Sequence, residues 1–191
     1  MAAFRGLVAI FLSLVLAACG DKTYAWREQV LLQDGTRVLV DRTARFSENW
    51  VAGGGGGSVN KGMTLRVVQG PTLTLPPVWD DRFVPIVLEL DASTGEWVIV
   101  ATFFHCDSWY ELGRPPLPYA EYRYRDGRWT RQALLKHWVG HSANVLVVDL
   151  TDKDVMTGRE VLTIERKKAI DELSNALPEY KRVVDHWTTG C

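Results

Sequence analysis

The stretch VLLQDGTRVLV, Val30–Val40, indicates the fold class more directly than any other part of the chain. Two apolar arms flank Asp34–Gly35, a dipeptide typical of the two-residue type I′ turn of a β-hairpin, because Asp and Gly tolerate the positive φ angles of that turn. A second pair, Asp126–Gly127, stands between Tyr119–Arg125 and Arg128–Leu134. Both patterns predict antiparallel pairs of strands.

Other short apolar segments follow at near-regular spacing. Phe83–Leu90 and Trp97–Phe104 are the most apolar, which predicts central strands buried on both faces. Five consecutive glycines predict a mobile loop over Ser47–Lys61, since Gly has the largest backbone freedom. Glu165–Asn175 has a helical spacing of apolar residues. The sequence therefore predicts a mainly β fold, an antiparallel β-sandwich or a small barrel with one C-terminal α-helix.

The N-terminus has the layout of a secretory signal peptide. Arg5 provides the basic start, Leu7–Leu16 is apolar except for Ser13, and two alanines precede Cys19. The apolar run is shorter than the ~20 residues that a membrane-spanning helix needs. We therefore expect a signal peptide at 1–18, a tether at 19–26 and a single β-rich domain at 27–191.

The four residues LAAC, Leu16–Cys19, also resemble a bacterial lipobox. The resemblance implies cleavage before Cys19 and lipid attachment to its thiol, with a further acyl chain such as palmitate on the new N-terminus. Known lipoproteins with Asp after this cysteine commonly stay in the inner membrane, and Gly20 at that position favours the outer membrane, facing the periplasm. An ordinary secretory peptide with an incidental cysteine is the alternative.

Charge and cysteine content restrict the partners. The chain has 22 Lys and Arg against 23 Asp and Glu, and no basic stripe, which argues against nucleic acid as a partner. Membrane contact would come through the lipid. Cys106 and Cys191 are the other two cysteines, and in an oxidising compartment they are predicted to form a disulfide. A reactive Cys106 beside His105 is the competing interpretation.

Two histidines are the only weak candidates for metal chemistry. His137 and His141 are four residues apart, and on a helix they would share a face and supply half of a zinc site. No Glu of a His-Glu-x-x-His motif lies between them, and Gly140 disfavours a helix. We therefore predict no metal and no cofactor, and a metal-assisted hydrolase using both histidines is the alternative function.

Aromatic residues beside proline-rich loops are the candidates for a binding surface. The stretch ELGRPPLPY, Glu111–Tyr119, is stiffened by its prolines and follows two aromatic residues. The opposing interpretation is that each tryptophan belongs to the core or to a strand pair. The predicted surface consists of Trp79, Trp109, Tyr110, Arg114 and Tyr119.

Three segments resemble a group of uncharacterised proteobacterial lipoproteins. They are WxxxVxLxDG at 26–35, CxxxYELGRPxxPY at 106–119 and YxDGxW at 124–129. The resemblance implies a compartment and a domain, and no reaction or residue role. The sequence thus predicts a lipid-anchored, periplasm-facing and non-enzymatic domain that binds an envelope protein partner or has a structural role.

Overall fold

A computed structural model of the chain describes residues 22–50, 56–103, 106–147, 160–173 and 176–187. The strands in this part of the chain are β1 (Lys22–Leu31), β2 (Arg37–Trp50), β3 (Gly56–Gln69), β4 (Trp79–Asp81), β5 (Val84–Leu90), β6 (Trp97–Thr102), β7 (Tyr119–Arg125), β8 (Arg128–Ala133) and β9 (Val161–Leu162). The helices are α1 (Cys106–Glu111), α2 (Ile164–Leu173) and α3 (Pro178–Lys181), with a 3-10 turn at Lys136–Trp138.

The strands form two sheets. The first has the order β4-β3-β2-β1-β9 and the second the order β5-β6-β7-β8. All neighbours pair antiparallel except β9, which adds to β1 in parallel through two residue pairs. The Trp79 ring on β4 meets the Tyr122 ring on β7 with centroids 5.2 Å apart, so the sheets pack against each other. The predicted mainly β fold is confirmed as a β-sandwich, and the sheets are not closed into a barrel.

The C-terminal segment 176–187 covers the outer face of the second sheet. Tyr119 and Tyr122 are three residues apart on β7, so Tyr119 points away from the first sheet. Its hydroxyl lies 3.1 Å from the carbonyl oxygens of Glu179 and Arg182, and accepts a hydrogen bond from the backbone N–H of Val184. This third layer explains why β5 and β6 are buried on both faces, as their apolar sequences predicted.

The Asp-Gly turns differ in length. Asp126 and Gly127 have φ angles of 51° and 78°, which is the predicted two-residue type I′ turn. At the first hairpin the prediction is wrong by one residue. The loop Gln33–Gly35 is closed by the hydrogen bond from the N–H of Leu32 to the carbonyl of Thr36, and only Gly35 has a positive φ. The Asp34 carboxylate accepts a hydrogen bond from the N–H of Thr36, which stabilises this three-residue loop.

The glycine-rich stretch lies mainly in a long hairpin rather than in the predicted loop. β2 and β3 are paired as far as Trp50 and Gly56, with a register irregularity between Arg45 and Phe46. The prediction of a loop over Ser47–Lys61 is therefore wrong on both sides of residues 51–55, which lie outside the described part. Backbone ladders need no side chains, so glycines can extend a strand although they weaken it.

The first sheet begins earlier than expected. Lys22 already pairs with Phe46, so residues 22–26, predicted as tether, belong to β1. One of them, Trp26, is buried in the core, which gives this end of the strand an apolar anchor. The signal peptide and Cys19 lie outside the described residues. Within the described ranges, no helix has the length and apolar character needed to span a bilayer.

Candidate functional site

A cleft of about 350 Å³ opens where the first hairpin turn, the end of β5, the segment 142–146 and α2 meet. Its apolar walls come from each of these elements except β5, and its polar groups converge from β5, the 142–146 segment and α2. Apolar walls with a few fixed polar groups are typical of small-ligand sites in proteins. The apolar lining residues are Leu31, Leu32, Val145, Leu146 and Ile164.

Glu89 is the ionisable group of β5 in this cleft. Glu89 is only 5% exposed to solvent. Both carboxylate oxygens lie 3.1 Å from the N–H of Gln33, and Oε1 also accepts a hydrogen bond from Nδ2 of Asn144. Burial raises the pKa of Glu89 from 4.5 to about 7, and the nearby negative charge of Asp34 acts in the same direction. Glu89 therefore changes its charge near neutral pH.

Asn144 covers the free edge of β5 at the back of the cleft. Its side-chain amide takes the place of a backbone group in a neighbouring strand. Oδ1 accepts a hydrogen bond from the N–H of Leu88, and Nδ2 donates one to the Leu88 carbonyl. Nδ2 also lies 3.0 Å from the carbonyl of Leu31 in the other sheet. The backbone N–H groups of Asn144 and Val145 donate to the carbonyl of Ile86. One amide thus satisfies an otherwise open edge and joins the two sheets.

A buried ion cluster lies behind the cleft. Oε1 of Glu28 accepts hydrogen bonds from Nη1 of Arg42 at 2.9 Å and Nε1 of Trp26 at 3.3 Å. Oε2 accepts from Nζ of Lys167 and from the N–H of Leu146, each at 2.9 Å. This buried carboxylate therefore has four donors and two cationic partners, which compensates for its removal from water.

Lys167 connects the ion cluster to the cleft. Its Nζ atom also donates to the backbone carbonyl of Asn144 at 2.5 Å, so the same ammonium fixes α2, β1 and the 142–146 segment. The residue is only 6% exposed. Lys168, the next residue on α2, lines the cleft from an exposed position.

The two histidines do not form the predicted helical pair. A 3-10 turn spans Lys136–Trp138, and Gly140 has a φ of 92°, so the backbone is not α-helical between them. The rings of His137 and His141 each pack on Trp138, with centroid distances of 4.7 and 5.0 Å. Burial lowers the pKa of His141. In the described ranges, no group of three or more His, Cys, Asp or Glu side chains could hold a metal ion.

The predicted aromatic surface is formed only in part. Trp79 and Tyr119 are 1% and 2% exposed, so they belong to the core and cannot present a face to a partner. This corrects their assignment to the surface. The other three members lie together, Trp109 and Tyr110 on α1 and Arg114 just after it. The guanidinium of Arg114 stands 5.0 Å from the ring centroid of Tyr110, which in turn packs on Trp109. Trp109 is itself partly buried against the core.

Cys106 begins α1 and is disulfide-bonded, which excludes the reactive thiol considered from the sequence. Cys191 lies outside the described residues, so its pairing with Cys106 stays a prediction.

The residues of the cleft were not singled out in the sequence, although two signals were present. Glu89 is the only charged residue in the apolar run Phe83–Leu90. Glu28 lies between Trp26 and Val30 on the same face of β1, and that face is buried. Lys167 gives no such signal, because a lysine in an amphipathic helix is ordinarily exposed.

The described part of the chain thus defines a β-sandwich with a third, irregular layer and a cleft that contains a buried carboxyl group. No protein-family model matches the chain. Comparisons with the curated proteins and with the solved structures also found no match.

Proposed function

We propose that the protein is a lipid-anchored domain of the cell envelope that binds a small amphiphilic ligand in the Glu89 cleft without converting it. The observation that carries this proposal is the cleft itself. Its volume of about 350 Å³ lies at the lower end of the ~300–1,000 Å³ of small-ligand sites. Apolar side chains from the first hairpin, the 142–146 segment and α2 supply the contact area, and few polar groups fix the orientation.

The polar groups of the cleft are arranged for binding rather than for proton transfer. Glu89 accepts its hydrogen bonds from the scaffold groups of Gln33 and Asn144. Lys167 is held by Glu28 and by a backbone carbonyl. Efficient acid–base catalysis combines a positioned acid or base with groups that stabilise the charge developing on the substrate. Because the ammonium of Lys167 is held in this way and the side chain of Lys168 is exposed, neither is fixed for that role beside Glu89.

Binding in the cleft can be tested with a neutral, environment-sensitive dye. The small dye 4-(dimethylamino)benzonitrile, with about eleven non-hydrogen atoms, matches the volume of the cleft and is the probe of choice. We expect saturable fluorescence enhancement that is lost in Ser142→Trp, because Ser142 lines the cleft from an exposed position and a large side chain there fills it. Leu135→Trp is the matched control, since Leu135 is exposed and is not part of the cleft lining. Equal enhancement in both variants and in the unaltered chain would contradict the proposal.

The anchor is supported by the lipobox pattern at Leu16–Cys19. For the chain expressed in a diderm bacterium, we expect mass spectrometry to find a mature N-terminus at Cys19 that carries acyl chains. In Cys19→Ser the protein should move from the membrane fraction to the soluble fraction, because one or more acyl chains provide the attachment. An unmodified N-terminus at any other residue would overturn this part of the proposal.

A further inference from the structure

We infer that the cleft selects ligands in which an ammonium group is attached to an apolar body, with the Glu89 carboxylate as the counter-ion. This inference rests on the proposed function, because it names the chemical class of the ligand for that same cleft. It depends on the charges that surround Glu89 and on the hydrogen-bonding capacity that its carboxylate retains.

Glu89 is a buried carboxyl group whose described partners are neutral. Its hydrogen-bond donors include the backbone N–H of Gln33 and the side-chain amide of Asn144, and the backbone N–H of Leu90 also stabilises its charged form. Oε1 accepts from both Gln33 and Asn144, whereas Oε2 shares the N–H of Gln33 with Oε1, so the carboxylate keeps acceptor capacity. No Lys, Arg or His within the described residues forms an ion pair with it. A ligand ammonium would supply the missing positive charge.

The other charged groups around the cleft do not fill this role. Asp34, at the hairpin turn, is negative and opposes ionisation of Glu89. Lys167 lies on α2, and its ammonium donates to Glu28 and to the carbonyl of Asn144 rather than to Glu89. Lys168 lines the mouth from an exposed position, where water screens its charge. Glu89 is therefore the buried ionisable group of the cleft that lacks an opposite charge.

The apolar walls determine the rest of the ligand. A cavity of about 350 Å³ holds on the order of ten non-hydrogen atoms, if each takes roughly the 30 Å³ of a water molecule. The walls are formed by residues such as Leu31, Val145 and Ile164, so the apolar part of a ligand would meet only apolar side chains there. A chain of about eight carbons that ends in an amine fits both the volume and the polarity.

Three probes of equal chain length separate the possible classes: n-octylamine, n-octanol and octanoate. Binding to the full mature chain is measured by isothermal titration calorimetry at pH 8, below the concentrations at which the probes aggregate. We expect octylamine to bind about tenfold more tightly than octanol, because a charge-assisted hydrogen bond is stronger than a neutral one. Octanoate should bind more weakly than either.

The preference should depend on Glu89 and on pH. In Glu89→Gln the affinities for octylamine and octanol should become equal. Glu172→Gln, which changes an exposed carboxylate on α2, is the control and should keep the preference. In the unaltered chain the preference should decline as the pH is lowered from 8 to 5 and Glu89 becomes protonated. This pH series requires no substitution, so it tests the inference even if Glu89→Gln folds poorly.

The outcomes separate this inference from the proposed function. Equal binding of octylamine and octanol at pH 8, or tighter binding of octanoate, would overturn the ammonium selectivity and leave a ligand-binding cleft. A preference that persists in Glu89→Gln would place the counter-ion elsewhere and would also overturn the inference. Binding of none of the three probes would contradict both the inference and the proposed function.

Discussion

Glu89 makes the stability of the fold dependent on pH. Its pKa is about 7 in the native state and 4.5 in a solvated chain. The native state therefore holds a proton that the unfolded state has already released. The contribution of Glu89 to stability is fully present below pH 4.5, and it is lost as the pH rises from about 4.5 to about 7.

The first prediction concerns Glu89→Gln, which removes this titration. The difference in unfolding free energy between the variant and the unaltered chain should shift in favour of the variant between pH 4 and pH 8. A pKa that rises from 4.5 to about 7 corresponds to about 3 kcal/mol, and partial screening by solvent reduces the expected shift to on the order of 2 kcal/mol. Urea unfolding at several pH values measures the difference, and carboxylates elsewhere cancel because both chains contain them. Glu172→Gln should show no such shift. If the difference is constant over this pH range, Glu89 has the same pKa in the native and unfolded states, which would contradict the prediction.

Asn144 is the second residue whose role can be measured. In Asn144→Ala the N–H of Leu88 loses its acceptor, and the carbonyls of Leu31 and Leu88 lose their donor. We expect a destabilisation of ~2–4 kcal/mol, since partly buried groups are left unsatisfied. Ser142→Ala should have little effect, because Ser142 is exposed and its β-bridge to Arg182 is formed by backbone atoms. Rapid hydrogen exchange at the Leu88 amide in Asn144→Ala would locate the effect at the β5 edge.

At the scale of elements, α2 and β9 are attached to the first sheet by few contacts. β9 pairs with β1 through two residues only, and the Lys167–Glu28 ion pair supplies the buried polar contact beside it. The helix contributes Ile164 to the core side. A single ammonium therefore stabilises the position of a whole helix–strand unit.

Lys167→Met tests this attachment. We expect a loss of ~1–3 kcal/mol in unfolding free energy, because Oε2 of Glu28 and the carbonyl of Asn144 each lose a charged donor, while Arg42 still pairs with Glu28. Lys168→Met, at the adjacent exposed position, is the matched control and should change stability by less than ~0.5 kcal/mol. Hydrogen exchange should accelerate in α2 and β9 before the rest of the first sheet. If the two variants have equal stability, the ion cluster does not hold the unit.

Local chemistry explains which elements could be predicted from the sequence. Asp126–Gly127 was predicted correctly because both residues adopt the positive φ that the turn demands. At Asp34–Gly35 the Asp34 carboxylate binds the N–H of Thr36 and favours a longer loop, and a dipeptide pattern cannot reveal that choice. The long pairing of Ser47–Trp50 depends on β3 as a partner, and composition gives no information on such a contact.

The cleft could not be predicted for a similar reason. Its polar groups come from Glu89, Asn144 and Lys167, and Lys167 is held in turn by Glu28; these residues are distant in the chain and meet only in the folded protein. A buried charge in an apolar strand is a visible signal, as Glu89 shows, but the sequence does not name its partners. Trp79 and Tyr119 were assigned to a surface on the basis of neighbouring prolines, and their burial reflects cross-sheet and third-layer packing.

For the whole molecule, the disulfide of Cys106 is the remaining covalent constraint to test. If its partner is Cys191, peptide mapping without reduction should yield one cross-linked peptide that contains both residues. Cys106→Ser and Cys191→Ser should then destabilise the chain equally, by ~2–4 kcal/mol, and the double variant by no more than either. Leu135→Ser serves as an unrelated surface control. Unequal losses in the two single variants would show that Cys191 is not the partner.

The ion pair between Glu28 and Lys167 joins positions 139 residues apart. Glu28 meets Arg42 as soon as β1 and β2 pair, whereas Lys167 and the N–H of Leu146 become available only when most of the chain has been synthesised. The buried carboxylate therefore gains its full set of partners late, and contacts between such distant positions slow folding.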